Sequence, residues 1–75
     1  MVPLSEVPAN ATATVRMVAG RGSIRQRLLD MGILPGVKVH MERLAPAGGP
    51  VWITLHGFQL SLRRKEAEVV LTSEE

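Results

Sequence analysis

The chain has no cysteine and no tyrosine, and only one tryptophan and one phenylalanine. Without thiols, a disulfide framework is excluded, and so is a thiolate zinc or iron–sulfur site. That matters in 75 residues, because a chain of this length buries only ~60% of its extended surface and often needs such a staple. The core must therefore be aliphatic, and the 45% hydrophobic content agrees with one ordered domain over 1–75, its core at about residues 4–72. Long apolar runs are also missing. None approaches the ~20 residues of a membrane span, and no basic segment followed by an apolar stretch opens the chain, so a cytoplasmic location is expected. Charge of one sign is scarce too: the net charge is +2, and the basic residues are scattered. Together with the shortage of stacking aromatics, this argues against a single-strand nucleic-acid platform.

What the chain does contain is one well-marked helix. Ser23 and Gln26 have the spacing of a capping box, which predicts a helix starting at about Ile24. Ile24, Leu28 and Met31 form a narrow apolar stripe, with Leu29 at its edge and Arg25, Gln26 and Asp30 on other faces. Gly32 follows at the position where a left-handed residue ends a helix, and Leu34-Pro35-Gly36 predicts a tight turn. Two to three turns of helix are marginal alone in water, so this one must lie on a sheet.

The rest alternates with a period of two. Val2–Pro8 carries two prolines and reads as an extended edge segment, with Leu4 and Val7 covering one end of the core. Ala11, Ala13, Val15 and Met17 share the inner face of a first strand, and Val37, Val39 and Met41 that of a second, whose parity breaks at Arg43-Leu44 in a bulge or strand end. Residues 45–50 form a flexible hairpin loop. A third strand follows with Val51, Ile53 and Leu55 inside and Trp52, Thr54 and His56 outside. Gly57 makes the next reversal, and Phe58, Leu60 and Leu62 face inward from a fourth strand. Arg63 to Ala67 makes one turn, Glu68–Thr72 a last strand, and residues 73–75 a solvated tail. The expected fold is mainly β: about five short antiparallel strands closed into a small bent barrel, with one short helix between the first and second strands.

Several residues are candidates for function, each with a plainer alternative. Arg27 is within reach of Asp30, three positions on, or of a partner carboxylate. Leu28, Met31, Ile33 and Leu34 serve as core or border a docking groove. His40 and Glu42 share a strand face and His56 also points outward. Their backbones at i and i+2 stand only ~6.5 to 7 Å apart, yet no third ligand or orienting shell is defined, so solvated surface is the first reading and opportunistic iron or zinc binding the second. Trp52 either covers the barrel end or contacts a partner. Arg63-Arg64-Lys65 reads as a solvated turn. No nucleophile elbow, phosphate loop or helical His pair is present, since Gly20-Arg21-Gly22 lacks the lysine and hydroxyl residue of a P-loop. An enzyme is not expected, and no cofactor.

Arg27-Leu28-Leu29-Asp30-Met31-Gly32-Ile33-Leu34-Pro35-Gly36 is similar to the helix and turn of the FeoA family, RL-x-x-[LM]-G-[LIM]-x-P-G. Leu44-Ala45-Pro46, with Gly49-Pro50 and Ile53, resembles that family's hairpin, and Leu60 to Ala67 its closing segment. The chain departs at Gly49, where many members are charged or polar, and at Val7-Pro8-Ala9-Asn10, which lacks a common Pro-Gly turn. The resemblance implies an SH3-like barrel acting as a non-catalytic accessory of bacterial ferrous iron uptake. Its implied partner is the cytosolic region of the iron permease FeoB, so contact with the membrane would be indirect; self-association stays open. The fold also recurs as the C-terminal domain of metal-dependent repressors, and a small nucleic-acid-binding module is the remaining alternative. In the expected barrel the turn at residues 33–36 and the hairpin at 44–50 border one shallow apolar cleft. Its docking residues would be Arg27, Leu28, Met31, Ile33, Leu34, Pro35, Leu44, Pro46, Pro50 and Trp52.

Overall fold

A computed structural model describes residues 1–74 of the protein. In chain order it has β1 (Val2–Pro3), a 3-10 turn (Leu4–Glu6), β2 (Thr12–Val18), α1 (Gly22–Asp30), β3 (Lys38–Leu44), β4 (Val51–Leu55), β5 (Phe58–Leu62), α2 (Arg64–Glu68) and β6 (Val70–Glu74). The strands form one antiparallel sheet in the order β1-β6-β2-β3-β4-β5. The molecule measures 28 × 26 × 23 Å. Even the shortest of these dimensions is about twice the ~10 Å spacing of packed sheets, so the sheet must curl over its own inner face. Alternation puts Ala13, Val15, Val39, Met41, Val51, Ile53, Leu55, Leu62 and Val70 inside that curl, and Leu4, Val7, Leu28, Ile33 and Ala67 close its ends.

Two bulges bend the strands. The pairing of β3 with β4 shifts between Met41 and Arg43, where the sequence parity breaks, and the strand continues to Leu44. A second shift, between Val15 and Met17 in β2, was not expected. It reverses the parity beyond Val15, so Val18 is buried while Met17, expected inside, is 48% exposed.

Other expectations are corrected locally. The chain enters α1 through Gly22 at φ +59°, one residue ahead of Ser23. Ser23 therefore lies within the first turn instead of capping it, and Gln26 donates to Asp30 Oδ1 at 2.9 Å. Ile24 is 40% exposed, which leaves Leu28 as the only fully buried residue of the helix. Phe58, expected inside, is 70% exposed because it follows the two-residue His56-Gly57 turn at the very mouth of the barrel. Glu68 ends α2, so the last strand begins at Val70; Ser73 and Glu74, expected as tail, pair with Thr14 and Ala13 in β2. Glu75 lies outside the described residues.

The turn features hold. Gly32 at φ +90° ends the helix, its N–H reaching the Leu29 carbonyl at 3.0 Å. Val37 N–H donates to Leu34 O at 3.1 Å across Pro35-Gly36, with Gly36 at φ +94°, as a type II turn requires.

Candidate docking surface

The short helix α2 joins the barrel's outer parts. Glu66 is 4% exposed, and its carboxylate accepts from the Arg63 N–H at 2.9 Å and from Arg27 Nε at 2.9 Å. Arg27 thus bonds across to α2 and not to Asp30 along its own helix. The next residue, Arg64, is not a solvated member of a basic run. Its guanidinium donates to Gly49 O at 2.9 Å and Ala45 O at 2.6 Å, pinning the hairpin loop from the other side. That loop is further closed by Ala45 N–H on Pro50 O at 2.9 Å and Gly49 N–H on Pro46 O at 3.2 Å. A side chain at Gly49 would place its Cβ 2.8 Å from that of Ala45, so the loop's compact form requires glycine there.

The expected cleft is not formed. The turn at residues 33–36 precedes β3 and the loop at 45–50 follows it, so the length of a seven-residue strand, on the order of 20 Å, lies between them. The turn instead neighbours the β4–β5 hairpin, because the position of a Cβ on Gly32 is 3.9 Å from both His56 and Leu55. No pocket is present among the described residues.

The candidate residues consequently fall into separate places. Leu28 and Ile33 are wholly buried and Met31 is half-buried against the core, so the first two reach a partner only through what they support. Leu34, 45% exposed, and the exposed Pro35 form one apolar knuckle at the hairpin end of the barrel. Leu44, half-buried, with exposed Pro46 and Pro50, sits at the opposite end. Trp52 points outward, as its parity requires, and the Arg43 guanidinium lies over its ring at 5.5 Å. Phe58, like Met17, is an exposed apolar residue expected inside; its position one step beyond a Gly-containing two-residue turn is the available signal.

The outer face of β2, β3 and β4 carries a polar row. Thr12 Oγ1 and His40 Nδ1 are hydrogen-bonded at 3.0 Å, His40 Nε2 stands 3.9 Å from Glu42 Oε2, and Thr54 Oγ1 donates to that oxygen at 2.6 Å. His56 is in the hairpin turn at φ +52°, two residues beyond Thr54. Among the described residues no group of three or more His, Cys, Asp or Glu side chains is placed to hold a metal ion.

A bent antiparallel sheet of this order, with a helix at one mouth and a short helical turn before the last strand, belongs to the SH3-like barrels. Among relatives of known structure, FeoA from Stenotrophomonas maltophilia, solved with zinc and described as a prokaryotic SH3 domain protein, is 28% identical with a TM-score of 0.85, over 97% of this chain and 91% of that one. FeoA protein from Chlorobium tepidum is 37% identical with a TM-score of 0.87, over 97% of this chain and 70% of that one. The model of the FeoA domain matches residues 2–73, and the chain belongs to that family, which is associated with ferrous iron transport. A Fe(2+) transport protein A/Fe(2+) transporter FeoB fusion protein of Porphyromonas gingivalis (strain ATCC BAA-308 / W83) is 36% identical over 64 residues, 85% of this chain. The chain spans 8% of the length of that relative.

Proposed function

We propose that the protein is a non-catalytic accessory module of ferrous iron uptake that docks on the cytosolic region of the permease FeoB. The observation that carries this reading is the fusion relative, in which a domain 36% identical to this chain and a FeoB transporter share one polypeptide. Joining two partners in one chain raises their effective concentration without needing a new contact, so fusion is favoured where the separate proteins already associate. A non-catalytic role agrees with the side chains available. Glu66 and Arg27 neutralise each other, Arg64 is committed to the loop carbonyls, and the one hydroxyl–imidazole contact, Thr12 with His40, lies on the open outer face of the sheet, with no pocket among the described residues to enclose a substrate.

The Leu34-Pro35 knuckle is the docking point. A type II turn holds it rigidly, so little freedom is lost on binding. Its apolar side chains gain by leaving water. The test is a binding titration of the chain against the isolated cytosolic region of FeoB, repeated with Leu34→Glu. Because Leu34 is 45% exposed, the variant should fold and keep its melting temperature within a few degrees, while binding weakens at least tenfold, ~1.4 kcal/mol. A folded variant that binds as well as its parent would move the docking point elsewhere, and a parent that does not bind at all would remove the reading.

A further inference from the structure

The two edges of the sheet are built differently. β1 is two residues long, and Pro3 removes one of its donors, so that edge offers little to another strand. β5, at the other end of the strand order, has none of the usual protections. Phe58-Gln59-Leu60-Ser61-Leu62 contains no proline and no charge, and its pairing with β4 runs without a bulge.

Its hydrogen-bonding pattern follows from the turn that starts it. Leu55 and Phe58 flank a two-residue turn with φ +52° at His56 and +81° at Gly57, so they exchange both backbone bonds, and by alternation so do Ile53 with Leu60 and Val51 with Leu62. The N–H and C=O groups of Gln59 and Ser61 therefore point away from β4. No backbone or side-chain group among the described residues bonds to them.

The geometry points to β5 as the seam of a two-fold dimer, in which a second copy of this chain adds its own β5 antiparallel to the first. Setting Gln59 opposite Ser61 of the second copy, and Ser61 opposite Gln59, satisfies all the outward groups of both residues in each chain. Leu60 then faces its own counterpart on the axis. Sliding the strands by two residues leaves only one of these residue pairs bonded, so the register is determined by the edge itself. An uncharged strand meets its own copy without like-charge repulsion. Phe58, 70% exposed, and half-buried Leu60 lose apolar surface to the neighbouring strand. Such a seam is small, so a weak, concentration-dependent dimer is expected.

Sedimentation equilibrium of the full chain up to ~1 mM tests this, a range that covers dissociation constants of weak complexes. Trp52 pairs across from Ser61 and is the only tryptophan, so its emission gives a second readout beside the seam. Gln59→Lys with Ser61→Lys sets like charges opposite one another twice and should loosen the dimer at least tenfold. Gln59→Lys with Ser61→Glu sets opposite charges there and should tighten it about three- to tenfold. Ser61→Pro removes only an outward donor, so a folded but monomeric variant is expected. A parent that stays monomeric throughout the range overturns the proposal. So does a dimer that both charge variants leave equally strong.

Discussion

Glu66 shows how unequal the two ends of one ion pair can be. Its carboxylate is nearly buried while the Arg27 side chain is 54% exposed. Arg27→Ala therefore leaves a buried carboxylate without its counter-charge and should cost ~1 to 3 kcal/mol, more than an exposed arginine ordinarily contributes. Glu66→Ala frees an arginine that water can solvate but also strips the Arg63 N–H, and Glu66→Gln, which keeps an acceptor for that donor, should cost less than the alanine. Urea denaturation of the three variants checks the order, and equal midpoints for parent and Arg27→Ala would contradict it. This contact was not legible in the sequence. Asp30 offered Arg27 a local partner three positions on, and nothing local marks a carboxylate thirty-nine positions away in sequence as its neighbour. The same holds for Arg64, whose commitment to Ala45 and Gly49 depends on the loop being beside α2. Trp52 was legible, because strand parity alone sets its direction.

At the scale of elements, the glycines mark what the sequence expresses most reliably. Gly32 is at φ +90° with only ordinary contacts around its missing Cβ, so Gly32→Val is opposed by backbone strain and not by crowding. Its cost should be about 1 to 3 kcal/mol in thermal or chemical unfolding, and an unchanged melting temperature would show that the helix ends elsewhere. His56 holds a left-handed φ of +52° in a turn where asparagine is preferred before glycine. His56→Asn should therefore stabilise the protein by a few tenths to about 1 kcal/mol, read as a raised denaturation midpoint. The helix entry was misread because Ser23 and Gln26 fit the capping spacing, whereas Gly22 turns the chain one residue earlier. The β2 bulge was misread because alternation through Met17 is continuous in sequence, and only pairing with β6 reveals the extra residue. Where side-chain parity itself broke, at Arg43-Leu44, the bulge could be read.

For the whole molecule, the barrel and its family were legible, since closing motifs recur from Arg27 to Ala67 in order, while the layout of the surface was not. Which loops share an end depends on how the strands are laid side by side. The Leu34 turn and the Ala45–Pro50 loop are close in sequence yet separated by the length of β3. The proposed docking on FeoB is at the hairpin end of the barrel, and its most direct test is an NMR titration of isotope-labelled chain with the isolated cytosolic region of FeoB. Amide shifts concentrated at Ile33, Leu34, Gly36, His56 and Gly57, with the Arg64-held loop at the other end unmoved, are the predicted result. Shifts confined to the loop and Trp52, or no shift at any ratio, would contradict it.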